Sequence, residues 1–154
     1  MILFSLCGGL LLAQSNITAP MSFRIEKEIK PAILQLVDGS IAFIDSNGNH
    51  AIDANENCTI RLSVKNVGKG DGSNCVATIV AEGTKNGISF SNQHLPLIKV
   101  GATMPVEIPI AASMYTEDGK INFKMSVEEP MGFGTETIEL AVDTRKFTSP
   151  LLRV

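Results

Sequence analysis

Oxygen-bearing side chains recur at short intervals in one stretch of this chain, Asp45-Ser-Asn-Gly-Asn-His-Ala-Ile-Asp-Ala-Asn-Glu56. Counted from Asp45 they fall at positions 1, 3, 5, 9 and 12, as Asp45, Asn47, Asn49, Asp53 and Glu56, the spacing of a twelve-residue calcium loop. Carboxylates and amide carbonyls are hard donors, and a terminal Glu can bind through both oxygens, so the pattern predicts a Ca²⁺ site. Ala51, at position 7, would contribute only its backbone carbonyl, and Ile52 beside it is apolar. His50 stands at position 6, where the sharp turn usually takes glycine, and Gly48 lies two residues earlier. The flanks, Ile41–Ile44 and Cys58–Val64, read as strands rather than helices, so the loop is expected to join two β-strands. An Asx-rich turn, in which these side chains hold their own backbone without metal, is the alternative.

Nucleophilic chemistry would need a thiol or hydroxyl beside an oriented base. The two histidines are His50, inside the loop, and His94, in a Gln-His-Leu-Pro turn, whereas Cys58 and Cys75 read as strand residues facing a core. Glu128-Glu129 is a carboxylate pair, but adjacent strand residues point to opposite faces. Gly68-Lys-Gly-Asp-Gly72 matches a phosphate-cradling loop only in glycine content, and reads as a hairpin turn whose glycines permit positive φ. No catalytic residue and no organic cofactor is assigned. Asn16-Ile-Thr and Asn57-Cys-Thr are formal glycosylation sequons.

The elements that must position the loop are strands. Phe23 and Ile25 alternate with Arg24 and Glu26, a candidate first strand. After the loop, Ile60, Leu62 and Val64 alternate with Arg61, Ser63 and Lys65, a strand with one wet face. Cys75–Ala81 is apolar nearly throughout, as for a strand covered on both faces. Asn86-Gly87 turns into Ile88–Phe90, and Leu95–Val100 is another extended run. Val106, Ile108 and Ile110 alternate, with Pro105 and Pro109 confining that strand to an edge or a bulge. Ile121–Val127 and Ile138–Val142 alternate again. About seven to nine short strands, turn signals between them and no helical period predict an all-β, immunoglobulin-like sandwich, with a jelly roll as the alternative.

Within the 154 residues, Met1–Ala13 is uncharged and apolar, too short to span a bilayer as a helix, and reads as a clipped secretory signal. Residues 14–30 form a lead with the first strand, and 31–154 one sandwich domain. The protein is therefore expected to be exported: periplasmic, surface-bound or secreted. Its last residues, Phe147–Val154, end on an apolar run as if cut mid-protein. Lys and Arg (13) nearly balance Asp and Glu (16), with no basic block, which argues against nucleic acid. With no Trp and one Tyr, a carbohydrate-binding face of stacked aromatics is not expected. If residues 58–66 and 74–82 pair as an antiparallel hairpin, Cys58 falls opposite residue 81 or 82 and Cys75 opposite 64 or 65. That is too far apart for a disulfide, and both should be free and buried.

Four blocks together resemble a known family. They are Phe43-x-Asp45-x-Asn47-x-Asn49-x-x-Ile52-Asp53-Ala54-x-Glu56, Val64-x-Asn66-x-Gly68-x-Gly70-Asp71, Glu128-x-x-x-Gly132-Phe133-Gly134 and Thr144-x-x-Phe147-x-x-Pro150-Leu151. They look like the region after the signal peptide in secreted bacterial caspase-family proteins and, more loosely, bacterial adhesion-type immunoglobulin-like modules. The resemblance covers roughly residues 30–154 and implies an accessory domain. The family's His/Cys peptidase domain lies downstream of this region and is not in this sequence. A protein partner, or adjoining domains of a larger chain, is what the resemblance implies. The alternative is the non-catalytic lead of a caspase-like cysteine peptidase.

Overall fold

A computed structural model describes residue 20 and residues 22–152. The Met1–Ala13 segment expected to direct export lies outside the described residues. Ten strands form: β1 (Leu34–Leu36), β2 (Ala42–Ile44), β3 (Ala51–Asp53), β4 (Asn57–Asn66), β5 (Val76–Gly83), β6 (Ile88–Phe90), β7 (Gln93–His94), β8 (Thr103–Ala112), β9 (Gly119–Glu128) and β10 (Ile138–Arg145). One sheet runs β1-β4-β8-β6, with β2 also pairing β4, and the other runs β3-β10-β9-β5-β7. With β1, β4, β8 and β6 in the places of immunoglobulin strands A, B, E and D, and β10, β9 and β5 as G, F and C, the chain is an immunoglobulin-like β-sandwich. No helix among the described residues is long and apolar enough to cross a membrane.

The core follows from the alternation. Cys58, Ile60, Leu62 and Val64 of β4, with Val106, Ile108 and Ile110 of β8, face Ile121, Phe123, Met125 and Val127 of β9, all at most 3 % exposed. Each such aliphatic or aromatic side chain contributes about 1.5–3 kcal/mol on burial, so this layer is the main source of stability. Phe90 meets Phe123 edge to face, ring centroids 5.6 Å apart.

Several expectations are corrected. Phe23–Glu26 forms no strand, and Phe23 and Ile25 are exposed. β4 and β5 are not a hairpin: β4 pairs with β8, while β5 lies in the opposite sheet beside β9. Cys58 and Cys75 are nevertheless free and buried, because Cys58 lies on β4 and Cys75 just ahead of β5 in the other sheet, not at opposite ends of one hairpin. β5 has an open face, with Val80 well exposed. Leu95–Val100 forms no strand, only an isolated bridge between Gly72 and Ile98. The count exceeds seven to nine because β3 and β7 are two- or three-residue pieces within stretches read as loop or turn.

The proline expectation is met along part of the strand only, since β8 lies between β4 and β6 and is not an edge strand throughout. β6 pairs with β8 only at Ile110–Ala112, so beside Pro105 and Pro109 the far side of β8 is open and needs no N–H donor.

Candidate functional site

The Asp45–Glu56 stretch is a bridge between the two sheets. β2 lies in the first sheet, with Ala42, Phe43 and Ile44 opposite Arg61, Ile60 and Thr59 of β4. The chain then crosses to the second sheet, where β3 runs parallel to β10, Ala51 opposite Asp143 and Asp53 opposite Arg145. It returns at once to the first sheet as β4. Ile52 anchors the crossing: apolar and fully buried, it holds β3 in the core between two polar half-loops. This is why three residues of the expected loop, Ala51–Asp53, are strand.

Glu56 is the hub. It is only 7 % exposed, and Oε1 accepts the Ser46 backbone N–H at 3.0 Å as well as the Ser46 hydroxyl, while Oε2 accepts the Asp53 N–H at 3.0 Å. One carboxylate thus ties the outgoing half-loop to the returning one. Asp45 Oδ2 accepts the His50 N–H at 2.8 Å. Asn47 Oδ1 and Asn49 Oδ1 each accept the N–H two residues on, from Asn49 and Ala51, both at 2.9 Å. Their amide Nδ2 groups converge on Asp53 Oδ2, at 2.6 and 2.7 Å. Gly48, His50 and Asn55 have positive φ, of 73°, 59° and 62°. The position-6 residue therefore takes the left-handed turn despite its side chain, and Gly48 takes a second one.

Of the six expected residues, Asn47, Asn49, Ala51, Asp53 and Glu56 lie in one hydrogen-bonded network, and Asp45 closes the same loop separately through the His50 N–H. Ala51 is buried, with its N–H given to Asn49. The three carboxylates do not close on one point: among the described residues no group of three or more His, Cys, Asp or Glu side chains is arranged to hold a metal ion. Their charge is felt by the neighbouring thiol. Burial pushes the Cys58 pKa up to about 12, with Glu56, Asp45 and Asp53 adding to the rise. Burial also raises that of Cys75, helped by Glu129. A thiol held protonated is a poor nucleophile. His50 and His94 are exposed.

A second polar hub escaped the sequence reading. Asn66, fully buried at the end of β4, accepts through Oδ1 from Ile33 N (3.2 Å) and Gly68 N (3.0 Å), and donates through Nδ2 to Gly70 O (2.9 Å) and Ile98 O (3.0 Å). Its whole side-chain bonding capacity is used. The signal was present in the period-2 run Ile60, Leu62, Val64, which places residue 66 on the buried face. Gly68, Gly70 and Gly72 are not positive-φ positions, contrary to expectation. A Cβ on Gly70 would collide with Lys30 O, and one on Gly68 with Ile33 N, so glycine is needed for close approach of the 30–33 backbone. A third hub is the nearly buried Glu129 carboxylate, which accepts at Oε2 from Met131 N (2.8 Å) and Phe133 N (3.3 Å) and shapes the turn after β9.

The fold and its crossing loops define an immunoglobulin-like sandwich domain. No protein-family description and no curated protein matches the chain. Among solved structures it is similar to the Escherichia coli alpha-2-macroglobulin region from domain MG7 to the C-terminus (11 % identity, TM-score 0.46), covering 70 % of this chain and 17 % of that one. A FixG-related protein from Vibrio parahaemolyticus has 12 % identity and a TM-score of 0.44, covering 77 % of this chain and 98 % of its own. The CARDB domain of a Pyrococcus furiosus protein, solved with di-metal ions, has 10 % identity and a TM-score of 0.47, with 82 % and 99 % covered. The chain spans only 17 % and 7 % of the two macroglobulin chains it matches first, and none of these likenesses assigns an activity.

Proposed function

We propose that the chain is a non-catalytic sandwich module of a larger exported protein, and that its Asp45–Glu56 loop takes calcium and so fixes how the two sheets meet. The observation that carries this is the loop's path: within twelve residues it leaves one sheet, adds β3 to the other and returns, pinned by a single buried carboxylate. A ligand in such a place acts on the whole sandwich rather than on one turn.

The donor set fits a hard cation, being carboxylate and amide oxygens throughout. Asp45, Asp53 and Glu56 bring three negative charges into one short stretch, and a cation would offset their repulsion. The Asn47 and Asn49 amides, which aim N–H groups at Asp53, would turn over to present oxygens instead. Mg²⁺ should compete poorly, since it demands tight octahedral geometry and holds its waters. The two buried, protonated thiols support a non-catalytic reading. The resemblance to secreted caspase-family proteins supports an accessory role beside a peptidase domain, and the reading frame beyond Val154 tests that link.

Thermal melting in EDTA and then in calcium tests the site. An extracellular-type affinity, on the order of 10⁻⁴ M, would add roughly 1 to 1.5 kcal/mol at millimolar calcium. Asp45→Asn, which leaves the Glu56 hub in place, should lose most of that gain. A melt indifferent to EDTA and calcium returns the loop to an Asx turn.

A further inference from the structure

The Phe23–Ile29 segment is built like a strand and belongs to none. In extended form Phe23, Ile25, Lys27 and Ile29 share one face, while Arg24, Glu26 and Glu28 occupy the other. The three apolar side chains are 82 %, 91 % and 71 % exposed.

The same molecule carries an unfilled sheet edge. β3 pairs with β10 only at Asp143–Arg145, so along Ile138–Val142 the strand has β9 on one side and no strand on the other among the described residues. Across from it, β1 pairs with no strand but β4, its outer edge being tied at Leu34 N to Phe133 O (2.9 Å). Between these edges runs a groove of about 790 Å³, lined by Ile33, Leu36, Ile138, Asp38, Glu136 and Glu139 among others. Leu36 and Ile138, which line it, pack on the core while staying partly open. An added strand here would continue the position β3 occupies, gaining main-chain bonds and apolar cover together. Charge permits it: no Lys or Arg lines the groove, and Arg24, Lys27 and Lys30 outnumber Glu26 and Glu28 on the segment and its end.

The segment cannot readily fill the groove of its own molecule. Pro31 O accepts the N–H groups of Lys69 and Gly70, and Ile33 O accepts that of Val67, fixing the line along which the chain enters β1. Residues before Pro31 leave past the Gly68–Gly70 loop, whereas the groove runs the other way, toward Asp38 and Glu139. Folding back would break these bonds. We propose that the chain associates by reciprocal strand exchange, the Phe23–Ile29 segment of each copy lying along the free Ile138–Val142 edge of the other. Such an exchange is two-fold symmetric and self-limiting.

Two measurements on the full chain test this, and neither involves calcium. In sedimentation across the micromolar range the chain should form a dimer, and Phe23→Asp with Ile25→Asp should weaken it by roughly a hundredfold, as expected for losing two buried apolar anchors. Both sites are exposed in the single copy, so the melting temperature of the dilute protein should hold. Then one chain carrying Ile25→Cys is mixed under oxidation with another carrying Thr137→Cys, each with Cys7→Ser. A disulfide between position 25 of one variant and position 137 of the other, identified by peptide mapping, supports the exchange. The proposal is overturned by a monomer at all concentrations, or by assembly indifferent to the Asp changes. It is equally overturned if the link forms only within a chain bearing both cysteines.

Discussion

Among the loops that carry this chain between its sheets, two are each closed by one buried polar side chain. The Asn66 loop uses a neutral amide whose two donors and two acceptor pairs are all spent on backbone within reach. The Glu56 loop uses a charged group that only accepts, and surrounds it with further carboxylates. A neutral hub can be fully buried, and Asn66 is; the charged one keeps a little exposure at 7 %. The neutral loop is finished within the chain itself. The acidic one keeps a charge excess that a partner from outside could offset.

Removing the neutral hub should therefore be the costlier break. Asn66→Ala takes the partner from the Ile33 and Gly68 N–H groups and the Gly70 carbonyl, while the Ile98 carbonyl keeps the Gly72 N–H. At about 1–3 kcal/mol for each group left unsatisfied, and with partial relaxation, we expect a loss of about 3 kcal/mol or more in chemical denaturation. Asn66→Asp should recover little, since a carboxylate would face two carbonyl oxygens. A loss below that of Glu56→Gln would reverse the ranking of the two hubs.

Gly70→Ala comes next. The new Cβ must push Lys30 away, weakening the bonds from Lys69 and Gly70 to Pro31 O. A cost of about 2 kcal/mol is expected. Hydrogen exchange should quicken at Lys69 and Gly70 first, leaving β9 protected.

Much of this contrast was legible in the sequence, though unevenly. The long strands β4, β8, β9 and β10 announce themselves by alternation, because each has one face in the core and one in water. The acidic loop announces itself by side-chain type and spacing. What could not be read was which strands share a sheet. The glycine-rich stretch after Asn66 has the composition of a hairpin, but here glycine serves close packing of a crossover, and nothing local distinguishes the two uses. β3 was hidden for a similar reason: three residues inside a polar loop become strand only because β10 offers an edge. The Phe23–Ile25 alternation was real, yet alternation specifies a face to bury and not a partner to pair with.

Glu56→Gln should cost less than either change above, about 1–2 kcal/mol, because an amide keeps one acceptor while turning a donor toward existing N–H groups. It also alters the pH response. The Cys58 thiol is raised from 9.0 to about 12, first by burial and then by the carboxylates, Glu56 foremost. The folded state thus holds a proton that the unfolded chain releases above pH 9, so this contribution to stability is full below pH 9 and lost as pH rises toward 12. Glu56→Gln should narrow that window from the top without closing it, since burial remains. Thiolate absorbance against pH, with Cys58→Ala as the blank, follows it. An unchanged midpoint would mean that burial acts alone.

The smallest difference lies in the backbone. Both loops place a non-glycine residue in the left-handed region, His50 at φ 59° in the acidic loop and Asn74 at φ 55° after the glycine-rich one. A left-handed residue with a Cβ costs about 1–2 kcal/mol, least for Asn and Asp, whose side chains suit that conformation. Glycine removes the cost but gives back about 0.5–1 kcal/mol in entropy of the unfolded chain. His50 is exposed, and the bond it makes here, from its N–H to Asp45 Oδ2, survives in glycine. His50→Gly should then stabilise by about 0.5 kcal/mol, whereas Asn74→Gly should leave stability nearly unchanged or slightly lower. Paired urea titrations of the two variants read the sign directly. A loss at His50 would show that the imidazole itself supports the acidic loop, and would move the origin of that loop's strain from residue 50 to its carboxylates.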